Sequence, residues 1–233
     1  GPQAPAASAS GGRRLALFDL DGTLSRRDTY VPFVTGLLAR HPRRWWRVVL
    51  LLFPALGYLA GRVDRGQLKG AILHHLFSGL PRATVEAWAG RFAARAVREA
   101  MHPQGVEVLK THLAAGDHVV VLSASPDLFV PRIGLALGAH EVHCTAIRWR
   151  DDGRLDGRLA GPNRRDHEKS RVLDALRAAH PGLPVIAYGN SGADLIHMRR
   201  CEEAVYVNAR PALAASLTAE GIRCVDWRGS GTR

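Results

Sequence analysis

Short apolar runs that end in polar loops alternate with amphipathic segments along the chain. The runs that begin at Leu15, Val119 and Val185 are continuously hydrophobic, which is typical of parallel strands buried on both faces. Between them, apolar residues at helical spacing predict helices at 31–40, 63–77, 84–100, 103–115, 128–137, 169–179 and 211–219. Further strands are expected at 142–149, 155–159, 201–207 and 222–227. A hairpin turn connects the first of these to the second, and the last two are expected at sheet edges. This alternation predicts a three-layer α/β core with a mostly parallel sheet.

The predicted helices between residues 26 and 101 form one block between the first strand and the rest of the sheet. We interpret this block as an α-helical cap inserted into a core made of residues 13–25 and 102–233. Residues 1–12 are rich in Ala, Ser, Gly and Pro and lack a long apolar stretch, so we expect a disordered, tag-like N-terminus.

The stretch from Val48 to Ala60 carries no charge, and Trp45, Trp46 and several arginines precede it. It is shorter than the roughly 20 apolar residues that a membrane-spanning helix needs. One interpretation makes it the buried spine of the cap. The other makes it an interfacial segment, with tryptophans and arginines at the lipid headgroups and the apolar part in the bilayer. The sequence leaves both open, and the second predicts that residues 43–60 contact an anionic membrane.

The basic composition adds an expectation about partners. Lys and Arg total 32 against 21 Asp and Glu, a formal charge of +11, and only Lys69, Lys110 and Lys169 are lysines. A basic surface favours phosphate esters, nucleic acid or anionic lipids. Nucleic-acid binding fits poorly, because the tryptophans form no stacking platform and the arginines are scattered. The three cysteines lack metal-ligand spacing, so we expect them to be reduced and buried in a cytoplasmic protein.

The strongest chemical signal is Asp19-Leu20-Asp21-Gly22-Thr23, directly after the first strand. In open α/β sheets, ligands bind at this end of the strands. Two carboxylates this close repel each other unless a cation lies between them, and an oxygen-only ligand set favours Mg²⁺. Asp19 is then a candidate nucleophile toward a phosphate ester, and Asp21 a candidate general acid and base. The alternative is a turn with capping aspartates, since Asp-Gly is a common turn dipeptide.

Three later segments carry further polar groups at predicted element ends. The second strand ends in Ser123, where a hydroxyl and loop N–H groups can form an anion cradle. Lys169 opens a predicted helix, and residues 189–194 form an acidic loop after the strand that begins at Val185. Each signal is weak by itself, because serines commonly cap helices and lysines commonly lie on surfaces.

The segment Phe18-Asp-Leu-Asp-Gly-Thr-Leu24 resembles the first motif of the haloacid dehalogenase superfamily, and the later segments match its other motifs in order. The resemblance implies a Mg²⁺-dependent phosphatase that forms an aspartyl-phosphate, with Ser123 holding the phosphoryl group and Lys169 neutralising it. It departs at Asn190, where the family usually has aspartate. The implied catalytic residues are Asp19, Asp21, Ser123 and Lys169, the implied phosphate-binding residues are Gly22, Ser123, Ala124 and Lys169, and the implied metal ligands are Asp19, Asp21, Asn190 and Asp194.

The substrate is a phosphate monoester on this interpretation, and its class stays open. The chain is similar to the phosphoserine-phosphatase-like branch, and its arginine-flanked apolar cap is similar to that of C-type phosphatidylglycerophosphate phosphatases, which implies a lipid phosphate and a peripheral position on the inner face of the membrane. Phosphoserine is the main soluble alternative, with Arg26, Arg27 and Asp28 as candidates for its recognition. A phosphotransferase would share the same aspartate chemistry. The oligomeric state is not predicted.

Overall fold

The computed structural model describes residues 13–229, so the expected N-terminal tail at 1–12 lies outside the described residues. Eight strands follow in chain order, which are β1 (Leu15–Phe18), β2 (His118–Pro126), β3 (Glu141–Thr145), β4 (Ile147–Trp149), β5 (Leu155–Leu159), β6 (Val185–Gly189), β7 (Glu203–Val207) and β8 (Arg223–Val225). The helices are α1 (Tyr30–Ala39), a 3₁₀ helix (Pro42–Leu51), α2 (Leu52–Leu59), α3 (Arg65–Phe77), α4 (Arg82–Glu99), α5 (Pro103–Ala114), α6 (Val130–Ala136), α7 (His167–Ala179), α8 (Gly192–Met198) and α9 (Pro211–Ala219).

Six strands form one parallel sheet in the order β3-β2-β1-β6-β7-β8. Alternation along β1 puts Leu15 and Leu17 on the face that α7, α8 and α9 cover. It puts Ala16 and Phe18 on the face that packs against α5 and α6. The predicted three-layer α/β fold is therefore confirmed, and the carboxyl ends of β1, β2 and β6 meet at one edge of the sheet.

Two details of the predicted strands are wrong. The stretch 142–149 is two strands, because β3 joins the large sheet while β4 turns away after Ala146 and pairs with β5 in a separate hairpin. This hairpin lies against α3, where Gly157 has φ +94° and an added Cβ would lie 2.6 Å from the His74 backbone nitrogen. The second correction concerns β7, which lies between β6 and β8 and is not an edge strand.

Helices α1 to α4 lie between β1 and α5 in the chain, as expected for an inserted cap. Their apolar core continues into the sheet side of the molecule: Phe33 of α1 packs against Phe92 of α4, at 5.3 Å between ring centres, and against Phe129 before α6, at 4.7 Å. Because one hydrophobic cluster joins these helices to the sheet, the division into core and cap stays a prediction about folding units.

The segment 43–60 forms the 3₁₀ helix and α2, and neither buries a single residue. Arginines attach it to α3: the Arg44 guanidinium donates to the carbonyl oxygens of Leu76 and Ser78 at 3.0 and 3.1 Å. The side chains of Phe53 and Leu59 are each 81% exposed. We call the exposed set the cap patch; it consists of Trp45, Trp46, Val48, Val49, Leu52, Phe53, Leu56, Tyr58 and Leu59. The interpretation of this segment as the buried spine of the cap is therefore wrong.

Candidate active site

A tight turn after β1 presents the two predicted carboxylates. The Thr23 amide donates to Leu20 O, and Gly22 adopts φ +84°, a conformation that favours glycine. A Cβ at Gly22 would lie 2.1 Å from the side-chain nitrogen of Asn190. Glycine is therefore required both for the turn and for the close approach of the loop after β6.

Lys169 ties two buried carboxylates together. Its Nζ donates to Asp19 Oδ1 and to Asp194 Oδ1, both at 2.6 Å, and all three side chains are buried. Burial acts to lower the pKa of Lys169, but the two carboxylates outweigh it and hold that pKa well above its usual range. The lysine therefore stays charged. We call Asp19, Lys169 and Asp194 the catalytic floor.

The two floor carboxylates have opposite pKa shifts. Burial and the negative charge of Asp194 raise the pKa of Asp19, although Lys169 acts against them. Burial would also raise the pKa of Asp194, but Lys169 and the Ser191 hydroxyl hold it below its ordinary value. Asp194 accepts further hydrogen bonds from the amides of Asn190 and Ser191 at 3.2 and 3.1 Å. Asp19 is therefore the carboxylate that another cation would help to ionise.

Asp21 is held by a different set of donors. One carboxylate oxygen accepts from the Thr29 amide and hydroxyl at 2.7 and 2.6 Å, and the other accepts from Ser125 Oγ at 2.5 Å. Thr29 lies just before α1, and Ser125 lies near the end of β2. Lys169 donates to Asp19 and Asp194, whereas Asp21 accepts from these uncharged donors, so Asp19 and Asp21 occupy chemically different surroundings two residues apart.

The oxygen atoms near Asp19 are suitable ligands for a magnesium ion. Thr23 Oγ1 lies 3.1 Å from Asp19 Oδ2 and 3.2 Å from Asn190 Oδ1, which places these oxygens at the same corner. Asp19, Asn190 and Asp194 also line one cavity of about 290 Å³. Carboxylate and amide oxygens are the ligands that Mg²⁺ prefers, so the donor set at this corner fits that ion.

Most of the site residues predicted from the sequence line this cavity. They are Asp19, Asp21, Gly22, Ala124, Lys169, Asn190 and Asp194. Ser123 does not line the cavity: it is fully buried, and its Oγ accepts from the Ser125 amide at 3.0 Å, so its predicted contact with a phosphoryl group stays a prediction. The sequence analysis missed Thr29 and Ser125 as partners of Asp21. The second serine of the Ser-Ala-Ser segment was visible in the sequence, but nothing there distinguished it from a capping residue.

Cationic side chains line the same cavity. Lys69 and Arg65 from α3 and Arg165 before α7 line it, with Asp28 as the acidic group among them. Lys69 Nζ lies 5.0 Å from the Tyr30 ring centre, and burial lowers the pKa of Lys69 although the negative charges of Asp21 and Asp28 act against it. Arg26 and Arg27, the candidates for phosphoserine recognition, instead line a groove between α1 and α4.

Comparisons with known proteins agree with this geometry. The family model of haloacid dehalogenase-like hydrolases matches residues 16–199. Protein CicA of Caulobacter vibrioides is 35% identical over 194 residues, which cover 82% of this chain and 85% of CicA. A probable phosphatase of Mycobacterium tuberculosis is 26% identical over 230 residues, 94% of this chain and 77% of that protein.

Two solved structures share the fold. A protein of unknown function from Bordetella pertussis has a TM-score of 0.76 at 27% identity, covering 92% of this chain and 99% of that one. A substrate-bound phosphoserine phosphatase has a TM-score of 0.62 at 20% identity, covering 92% and 93%. The motif order, the Lys169-bridged carboxylates and the family model lead to one conclusion: this chain belongs to the haloacid dehalogenase-like hydrolase family.

Proposed function

We propose that the protein is a Mg²⁺-dependent phosphomonoesterase that works through an aspartyl-phosphate on Asp19. The observation that supports this most is the difference between the two neighbouring carboxylates. Asp19 is bound to a buried ammonium group, whereas Asp21 is held by neutral donors. A nucleophile and a proton carrier need such different surroundings. Asp19, Asn190, Asp194 and the Asp21 main-chain carbonyl would hold the ion, which would shield the phosphate charge from the attacking carboxylate.

The chain's own residues account for both steps. Asp19 attacks phosphorus while the bond to the leaving oxygen breaks, and Asp21 gives that oxygen its proton. Asp21 then takes a proton from water, which attacks the phosphorus of the aspartyl-phosphate and releases inorganic phosphate together with the Asp19 carboxylate. Lys169 stabilises the transferring group, and the segments at Gly22 and Ala124, which line the cavity, form its binding loop.

Phosphate release from p-nitrophenyl phosphate tests this proposal. Release is expected with Mg²⁺ and not with EDTA, and Asp151→Asn, an exposed carboxylate in the hairpin turn, should leave it unchanged. Release that EDTA does not reduce would contradict the metal dependence. A phosphotransferase shares the first step, so adding a second alcohol and measuring its phosphorylation separates the two activities.

We further propose that the substrate is a lipid phosphate and that the cap patch contacts an anionic membrane. Nine large apolar side chains of one short segment are exposed, which is uncommon for a surface without a partner. Arg43, Arg44, Arg47 and Arg62 accompany them, and residues 41–63 contain no acidic side chain. Apolar side chains flanked by arginines and tryptophans are typical of segments that lie in the headgroup region.

A bilayer suits this surface better than a second copy of the chain. Pairing two cap patches would bring their arginines together in a protein of formal charge +11, whereas anionic lipids neutralise them. The patch also leads to the site: α2 ends at Leu59, and Arg65, six residues later, lines the catalytic cavity. No helix within 13–229 combines the length and apolar character required to cross a membrane. A cytoplasmic location on the inner face of the membrane is part of this proposal.

Phosphoserine remains the soluble alternative. Asp28 in the cavity could bind its ammonium group and Lys69 its carboxylate. A panel of phosphoserine, sugar phosphates, nucleotides and phosphatidylglycerophosphate separates the two. If kcat/KM is highest for phosphatidylglycerophosphate, the result supports our proposal. If it is highest for phosphoserine, the result contradicts a lipid substrate, and the cap patch has a role other than substrate access.

A further inference from the structure

A second cluster of ligand-type side chains lies at the opposite edge of the sheet from the catalytic site. His118 Nε2 and His180 Nε2 lie 2.8 and 3.3 Å from Glu141 Oε1, and His143 Nε2 lies 3.0 Å from Glu141 Oε2. All four side chains are partly exposed, so the cluster is open to solvent. None of them has a part in the proposed phosphatase reaction.

The fold places these residues together although they are far apart in sequence. His118 begins β2, and alternation puts it on the same face as Val120 and Leu122, which pack against α7. Glu141 pairs in register with Val120 and begins the edge strand β3, so Glu141 and His143 share that face. His180 directly follows the last residue of α7 and contacts the Glu141 carboxylate. The cluster therefore joins the first residues of two strands to the C-terminal end of one helix.

The possible ligand atoms lie close to the separation that a small metal ion requires. One atom each from His118, Glu141 and His180 lies within 4.8 Å of the other two. Zinc bonds to imidazole nitrogen and carboxylate oxygen are about 2.0–2.2 Å long, so two ligand atoms of one tetrahedral ion are about 3.3–3.6 Å apart. Small side-chain rotations would close the remaining gap. The rings of His118 and His180 already lie 4.3 Å apart between centres.

We propose that His118, Glu141 and His180 bind a divalent transition-metal ion such as Zn²⁺, with water at the fourth position. Two imidazoles and one carboxylate suit such ions, whereas the oxygen-only donors at the catalytic cavity suit Mg²⁺. His143 is a positioning residue, because it contacts the carboxylate oxygen that the ion does not need.

The ion would connect α7 to strands β2 and β3. This helix begins at His167 and carries Lys169 in its first turn, so the clamp would hold the C-terminal end of the helix whose N-terminal end supplies the catalytic lysine. An ion that binds the folded chain and not the unfolded chain stabilises the folded state by mass action. We therefore expect a structural metal, distinct from the catalytic one in position and chemistry.

Binding of Zn²⁺ and Co²⁺ to the EDTA-treated full chain tests the proposal. We expect one Zn²⁺ per chain by calorimetry, visible absorption bands of tetrahedral Co²⁺, and a higher Tm with Zn²⁺. His118→Asn, Glu141→Gln and His180→Asn should abolish all three signals, and His143→Asn should weaken binding about 10- to 100-fold. His75→Asn, a histidine on α3 outside the cluster, should bind like the wild type.

Circular dichroism and Mg²⁺-dependent phosphatase activity show whether each variant is folded. Asp19→Asn should bind Zn²⁺ normally, which separates this site from the catalytic one. The proposal is overturned if the wild type binds no stoichiometric Zn²⁺. It is also overturned if folded variants of the three ligands bind Zn²⁺ as tightly as the wild type does.

Discussion

The catalytic floor and the cap patch differ in whether their side chains are buried and have bonding partners. Each charged group of the floor is buried and has a partner at 2.6 Å, whereas the apolar groups of the cap patch are exposed and none is buried. Buried ionised groups are stable only when paired, so the floor is rigidly specified. The cap patch has no such constraint within the described part of the chain. On the proposed function, the floor would determine the reaction and the cap would determine which substrates reach it.

The largest expected effect lies in the floor. Asp19→Asn removes the nucleophile but keeps a group of the same shape, so phosphate release should fall about 10⁴-fold or more while the fold persists. Steady-state kinetics and circular dichroism measure the two properties, with Asp151→Asn as the matched control. Near-native activity in Asp19→Asn would remove Asp19 from the mechanism.

Lys169→Met tests whether the floor is held together by charge. The substitution leaves Asp19 and Asp194 buried side by side, and breaking a buried ion pair costs about 3–5 kcal/mol. Urea denaturation in EDTA should show this loss of unfolding free energy. Arg171→Met, an exposed arginine on the same helix, should change it little, and an equal effect of both variants would contradict the floor's electrostatic account.

The structure brings four of the residues named from the sequence, Asp19, Asp21, Lys169 and Asp194, to one cavity. Asp19 and Asp21 follow from the end of a strand that the hydrophobic pattern locates, whereas Lys169 and Asp194 are implied by the resemblance to the family motifs. Ser125 and Thr29 could not be assigned, because their contact with Asp21 depends on how β2 and α1 approach the turn. The same reason hides His118, Glu141 and His180, which only sheet register and the end of α7 bring together.

The cap shows a different limit of prediction. An uncharged run such as 48–60 is equally compatible with burial and with exposure, because hydropathy does not say what covers it. Similarly, the hydrophobic pattern of 142–149 suits one strand, and only the pairing partners of β3 and β4 reveal the break at Ala146.

A third prediction concerns Lys69, one of the cationic residues that line the cavity. Lys69→Met should raise KM about 10-fold for esters that carry a second negative charge, such as phosphatidylglycerophosphate, because Lys69 lines the cavity and its ammonium group would attract that charge. It should change kcat/KM for p-nitrophenyl phosphate much less. Lys110→Met, an exposed lysine on α5, is the control. Equal losses for both kinds of substrate would assign Lys69 to the scissile phosphate.

The smallest expected effect lies in the cap patch. Replacing Phe53 and Leu59 together by Gln should weaken sedimentation with phosphatidylglycerol-containing vesicles about 5-fold, because side chains that enter the headgroup region only in part contribute less than the roughly 1.5–3 kcal/mol of full burial. Hydrolysis of p-nitrophenyl phosphate should be unchanged. Leu135→Gln, at an exposed leucine on α6 outside the cap patch, should leave vesicle binding intact. Equal vesicle binding by the double variant and the wild type would contradict membrane docking.

The central claim is that Asp19 itself carries the phosphoryl group. Acid quenching during turnover, followed by borohydride reduction and peptide mass spectrometry, converts an aspartyl-phosphate into homoserine at the modified position. Our account predicts homoserine at position 19, dependent on both substrate and Mg²⁺. Homoserine at position 21 or 194, or a phosphoryl group trapped on any other side chain, would contradict it.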